Sequence, residues 1–165
     1  MLKTIVLNSQ EVKLNYLVNY TNEEIIIDGI EDENSWEKAN IMNAQWQHFP
    51  AETKNFKNPT QVKLLFDKKN IYVLCKSFSM SDDYIIPSLK WDFSGAASDK
   101  VNFLFDTFSD GNNAYMFGSN MLGVKSDYLV SNGGVGSSSS DINRTWNGNF
   151  DVEGRIFEEY YLIEM

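Results

Sequence analysis

From Asp99 to Asp127 the chain carries a pattern that sharply limits its folding. Val101, Phe103 and Phe105 alternate with Asn102, Leu104 and Asp106. Successive side chains of a pleated strand point to opposite faces, so this period of two gathers the bulky apolar groups on one side. Ser109-Asp-Gly-Asn-Asn113 then interrupts the run with residues that accept left-handed backbone or bond their own main chain. Ala114-Tyr-Met-Phe-Gly-Ser119 returns as a second strand. The spacing predicts an antiparallel hairpin with acidic and amide side chains at its tip and shoulders.

The same signals recur on both sides of this unit. Gln61–Phe66 places Val62, Leu64 and Phe66 on one face, Asp67-Lys-Lys-Asn70 turns, and Ile71–Phe78 comes back as a partner. Further strands are predicted over Leu122–Val130, around Phe150, Val152, Gly154 and Ile156, and over Tyr160–Met165. Trp146 is expected to begin a strand before the turn dipeptide Asn147-Gly148. Upstream, the β-branched run Ile25-Ile-Ile27 predicts a strand entering a tight Asp28-Gly29 turn. Ile30–Ala39 predicts a short helical turn, with Asp32 as its N-cap and Trp36 and Ala39 facing the core. Residues 41–59, 79–98 and the serine-rich 131–141 read as connections.

With many strands and no long amphipathic helix, the chain is expected to be all-β. The expected form is a two-sheet antiparallel β-sandwich, jelly-roll-like, with one short helical turn near the N-terminus. Residues 25–165 are expected to form that sandwich, and 1–24 a partly ordered extension that either adds an edge strand or packs loosely. The chain stops within the apolar run Leu162-Ile-Glu-Met165, so the sandwich is expected to be truncated there or followed by more protein.

Composition narrows the function classes. Fourteen basic against twenty-three acidic residues give a net charge of −9, which opposes attraction to nucleic acid or anionic lipid. No apolar run reaches the length of a membrane span, and the start Met1–Leu7 is too short and too soon polar for a signal peptide. The single Cys75 lies in an apolar strand and reads as a small buried hydrophobe. His48 is the only histidine, so a histidine triad, a zinc cluster or a paired-histidine haem site has too few ligands. Asp82-Asp83 and Glu158-Glu159 are adjacent pairs that strand geometry would send to opposite faces. These features predict a non-catalytic domain.

Two groups of residues invite a binding role. Asp106, Asp110 and Asn112, with Asn113, crowd one hairpin tip, and hard oxygens in such turns either hold structural calcium or simply cap the turn. Trp91, between Lys90 and Asp92, either offers a stacking platform or covers the end of the sandwich.

Four pieces in order resemble a known group: Ile27-Asp-Gly-Ile-Glu-Asp-Glu-Asn-Ser-Trp36; Val62–Val73; Asp99–Asp106 with Ala114-Tyr-Met-Phe117; and Gly123-Val-Lys-Ser-Asp127 leading to Trp146-Asn-Gly148. Together they resemble carbohydrate-binding module family 9, within the DOMON-like β-sandwich group, in the version found at the N-terminus of large bacterial envelope proteins. The resemblance implies export to the periplasm, cell envelope or exterior, a larger parent protein as partner, and a saccharide ligand. It implies a sugar clamped between two tryptophans, one of which lies just before a motif that corresponds to Asp99–Asp106. This chain has Gly95-Ala96-Ala97 at the first clamp position, and Asn102 where the family has an acidic residue. Trp91, Asn102, Asn120 and Trp146 are therefore the expected saccharide-binding residues. The alternative is a structural or protein-interaction sandwich that has lost the sugar site.

Overall fold

A computed structural model describes residues 15–44, 58–79, 84–93, 98–134 and 141–165. Trp46, His48, Asp82-Asp83, Gly95-Ala96-Ala97 and the serine tract lie outside the described residues. The chain is all-β: the described residues form two sheets and one short α-helix. In order the elements are β1 (Asn19–Tyr20), α1 (Asn34–Lys38), β2 (Met42–Asn43), β3 (Thr60–Phe66), β4 (Ile71–Phe78), β5 (Val101–Phe105), β6 (Ala114–Ser119), β7 (Lys125–Val130), β8 (Ile142–Asn143), β9 (Glu153–Ile156) and β10 (Tyr160–Glu164). The first sheet runs β1-β3-β4-β10-β9, with β2 also paired to β3; the second runs β5-β6-β7-β8.

Period-two alternation sets the register. Val62 opposes Cys75 and Leu64 opposes Val73, which turns these four toward the second sheet. Phe103 opposes Phe117 in the second sheet, and Val101, Phe103, Phe105 and Phe117 all pack against the shared core. Met121, Val152, Tyr161 and Ile163 complete it. The opposite parity of the first sheet, Leu65, Leu74 and Leu162, is covered by Trp36, Ile25 and Ala39, a smaller second core beneath the helix. Cys75 is fully buried, and burial pushes its thiol up to about 12. Alkylation by iodoacetamide at neutral pH is therefore expected to label no thiol in the folded chain and one after denaturation.

Several sequence expectations shift here. Ile25–Ile27 pairs in no ladder; Ile25 contributes its side chain to the core under α1 instead. The helix begins later than expected, with Glu33 rather than Asp32 at the N-cap and no side-chain cap bond from it. Glu23 substitutes from a distance: it accepts the Ser35 N–H at 2.8 Å and the Ser35 hydroxyl at 2.7 Å. Those donors, the hydroxyl foremost, hold its carboxyl below the usual range. Asn19–Tyr20 joins the sheet as an edge strand, parallel to β3, although every other described pairing is antiparallel. β7 starts at Lys125 instead of Leu122, because residues 120–124 form a turn. Trp146 begins no strand; it lies in the connection between β8 and β9.

One buried carboxylate fastens the two ends of the described fold. Glu164, on β10, has no exposed surface. It accepts the backbone N–H groups of Asp28 and Gly29, both at 3.0 Å, and the Trp36 indole N–H at 3.0 Å. Gly29 adopts φ 74°, the left-handed backbone that favours glycine, so the expected Asp28-Gly29 turn exists to aim these donors inward. Burial raises the Glu164 carboxyl to about 7 against the opposing pull of the three donors.

Candidate functional site

β7 turns two charged residues toward the inner side of its sheet. Phe117, a core side chain, pairs directly with Asp127, and Lys125 lies two residues before Asp127 on the same face. Asp127 has no exposed surface. Its Oδ1 accepts the Trp91 indole N–H at 3.0 Å, and its Oδ2 accepts the Gly148 N–H at 2.5 Å. The arrangement repeats the chemistry at Glu164, in that a buried carboxylate takes one indole N–H and a glycine N–H.

β8 pairs only with Leu129 and Val130, which leaves the edge of β7 at residues 125–127 for another partner. The Trp91-Asp92 segment takes that edge. Asp92 N–H donates to the Lys125 carbonyl, and Asp127 N–H donates to Asp92 Oδ1, both at 3.1 Å. Asp92 sits at φ 54°, a left-handed conformation that Asp tolerates better than bulkier residues. Trp91 is thus fixed at one end by its N–H and by its neighbour's backbone, yet it is 53% exposed. A tryptophan that merely covers the end of a sandwich would lose most of that surface.

Lys125 joins this platform to a cleft. Its Nζ lies 5.9 Å from the Trp91 ring centre and 5.0 Å from that of Phe150. It donates to the Phe150 carbonyl and lies 3.5 Å from Asp151, whose side chain is 89% exposed. Lys125 also lines an open cleft of about 510 Å³ between segment 24–27 and residues 151–153. Glu24, Asp151 and Glu153 are among its lining residues. A smaller hollow of about 200 Å³ on the outer face of the first sheet is different, since Glu31 already ties Lys63 and Lys76 together there.

Of the four expected saccharide residues, Trp91 bonds Asp127 directly. Trp146 packs on Tyr115 and Phe117, with ring centres 5.3 and 5.7 Å apart, two residues before the Gly148 whose N–H also donates to Asp127. Gly148 tucks so closely under the Trp146 ring that a Cβ there would stand 2.8 Å from it. Trp146 is partly buried, so packing takes much of its surface. Asn102 is on the opposite face of the second sheet, folded over its partner Gly118. Asn120 is fully buried and its Oδ1 accepts the N–H groups of Leu122 and Val124 at 3.0 and 3.2 Å, shaping the turn before β7. Its side chain has no surface to offer a ligand, which corrects its expected place in the site.

The hairpin tip is occupied by its own backbone. Asp106 accepts N–H groups from Phe108, Asp110 and Gly111, and Asp110 accepts those of Asn112 and Asn113. Asn113 also donates its side-chain amide to Asp110, and these bonds, that one foremost, hold the Asp110 carboxyl below its ordinary value. Among the described residues no three His, Cys, Asp or Glu side chains gather as a metal site. Among them, too, no helix is long and apolar enough to cross a membrane.

The framing aspartates of the hairpin thus serve three structural tasks. Asp99 accepts the Ile85 N–H at 2.9 Å and docks the incoming segment, Asp106 caps the tip, and Asp127 anchors Trp91. Lys125, Asp151, Glu24 and Glu153 were not singled out from the sequence. For Lys125 a signal existed: it shares parity with core-facing positions, and a charge at such a position is informative where an exposed one is not.

The fold is an all-β sandwich with an exposed tryptophan held by a segment that fills one strand edge. Compared with models of known families, with curated proteins and with solved structures, the chain matches none.

Proposed function

We propose that this chain is a non-catalytic saccharide-binding module, an accessory domain of a larger exported protein, whose platform is Trp91 and whose polar partners come from the adjoining cleft. The observation that carries the reading is the exposed Trp91 ring, held rigid through its N–H on buried Asp127. A sugar's C–H face stacks on such a ring while its hydroxyls need paired polar groups, and Lys125 stands between the ring and the polar cleft. A preset ring also loses little freedom on binding. A non-catalytic role is supported by the two fully buried carboxylates, Asp127 and Glu164, since each oxygen of both already accepts a structural hydrogen bond.

Calorimetric titration with a panel of neutral mono- and oligosaccharides tests the reading. Binding by the intact chain is expected, and Trp91→Ala is expected to weaken it at least about tenfold, a loss of about 1.4 kcal/mol. Running the titration in calcium and in chelator tests structural calcium at the hairpin tip. If no saccharide binds across the panel, the interaction-domain reading takes its place.

A further inference from the structure

The triplet Asn-X-Ser/Thr, with X other than proline, is the acceptor pattern for N-linked glycans. It stands twice in this chain, at Asn19-Tyr-Thr21 and Asn143-Arg-Thr145; Asn58-Pro-Thr60 is excluded by its proline. The fold treats the two differently. Asn143, Arg144 and Thr145 are all exposed, on β8 and the turn that follows it. β8 ends the second sheet, so no further strand among the described residues lies against its outer side. The Asn143 Oδ1 accepts the Thr145 N–H at 3.0 Å and the Thr145 hydroxyl at 2.8 Å. A backbone N–H can only donate, which identifies the bonded end of the carboxamide as its oxygen. The other end, Nδ2, makes no hydrogen bond among the described residues. The Arg144 guanidinium rests 4.5 Å from the Tyr128 ring centre, which holds the middle of the triplet on the sheet.

Asn19 is shut by comparison. It lies within β1, in register with Leu65 of β3, and its Oδ1 accepts the Asn40 side-chain amide at 2.9 Å. Thr21 is buried, and its N–H donates to the Phe66 carbonyl at 2.9 Å. The Thr21 hydroxyl lies 2.7 Å from that of Ser35, in α1, and accepts the Glu23 N–H at 3.0 Å. It is committed to the start of the helix and does not engage the Asn19 carboxamide.

We propose that Asn143 is an acceptor for N-linked glycan transfer from a lipid-diphosphate oligosaccharide, and that Asn19 is not. In the step, Asn143 Nδ2 forms a bond to the anomeric carbon of the sugar. The bond from that carbon to the diphosphate oxygen breaks, the lipid diphosphate leaves with the electron pair, and one Nδ2 proton passes to a base of the transferase. The two donors from Thr145 turn the Asn143 oxygen back toward the chain and leave the nitrogen facing outward. The inference needs export of the chain, which is part of the reading above, but not the Trp91 platform.

Incubation of the intact folded chain with an oligosaccharyltransferase and a lipid-diphosphate oligosaccharide, followed by glycopeptide mapping, tests it. Transfer to Asn143 is expected. Asn19 must first open its strand, so its occupancy is expected to be at least about tenfold lower in the folded chain and to rise after denaturation. Thr145→Ala is expected to abolish transfer to Asn143 and Thr145→Ser to retain it; both substitutions are at an exposed turn position and leave the core untouched. No transfer to Asn143 in the folded chain, transfer there only after denaturation, or equal occupancy of Asn19 overturns the inference. Each of these leaves the saccharide-binding reading standing, since titration with free sugars tests that separately.

Discussion

Replacing Glu164 with alanine is expected to lower the unfolding free energy by about 3–5 kcal/mol, since three buried N–H donors lose their acceptor at about 1–3 kcal/mol each and share part of that cost by relaxing. The change leaves the Trp36 indole N–H and the N–H groups of Asp28 and Gly29 facing a void. These donors belong to the turn and helix that cover the outer face of the first sheet, so the smaller core around Trp36, Leu74 and Leu162 loosens with them. Glutamine in the same place is a partial repair. Its oxygen accepts, but its amide turns a donor toward another donor. The pH dependence separates charge from shape. The folded carboxyl stands at about 7, above its unfolded value near 4.5. A raised pKa means that the folded state binds the proton more tightly. The resulting stabilisation is complete below about 4.5 and is lost as pH rises through about 7. Urea unfolding from pH 4 to 8 is thus expected to show the native chain losing stability relative to Glu164→Gln across that window. A difference independent of pH would mean that the donors, rather than burial, govern this carboxyl.

Asp127→Asn is expected to have a double effect, costing about 2–3 kcal/mol of stability and weakening saccharide binding by about tenfold. Both oxygens of Asp127 accept N–H donors, so an amide nitrogen in either place opposes the Trp91 indole or the Gly148 backbone. In one orientation the Trp91 ring loses its anchor; in the other the turn beneath Trp146 opens. Either way the rigid presentation of the platform is lost although Trp91 itself is unchanged. Paired denaturation and calorimetry check this, with Asp110→Asn as a control, since that side chain serves only the hairpin tip. Loss of stability with full retention of affinity would detach Asp127 from the binding role.

The architecture was legible wherever alternation was clean. Val101, Phe103 and Phe105 share the core face as their spacing requires, Ile71–Phe78 has the expected bounds, and Trp36 and Ala39 are buried under the helix. Irregular backbone was less legible, because its conformation depends on partners far away in sequence. Ile25–Ile27 has strand propensity without a ladder, and the start of α1 is capped by Glu23 rather than by an adjacent residue. The surroundings of the candidate residues were less legible. Trp91 stood out as an aromatic between charges, but nothing local announces that its N–H reaches Asp127, 36 positions later. Asn102 and Asn120 resembled ligand contacts because amides suit sugar hydroxyls; one is on the other face of the sheet and the other is enclosed in a turn. Parity carried unused information. Lys125 and Asp127 are charges on a core-facing register, and Glu164 is a charge inside the apolar run Tyr160–Met165. Each marks a place where the interior needs an acceptor or where the fold opens to solvent.

A titration followed by ¹H–¹⁵N correlation spectra tests the central claim most directly, because the four tryptophans give separate indole N–H signals. Addition of the tightest-binding neutral oligosaccharide is expected to shift the Trp91 indole and the Lys125 backbone resonances while the Trp36 indole, fastened to Glu164 in the second core, stays in place. Saturation with the Trp91 signal unmoved, or shifts confined to residues remote from Asp127, would contradict the assignment of Trp91 as the binding platform.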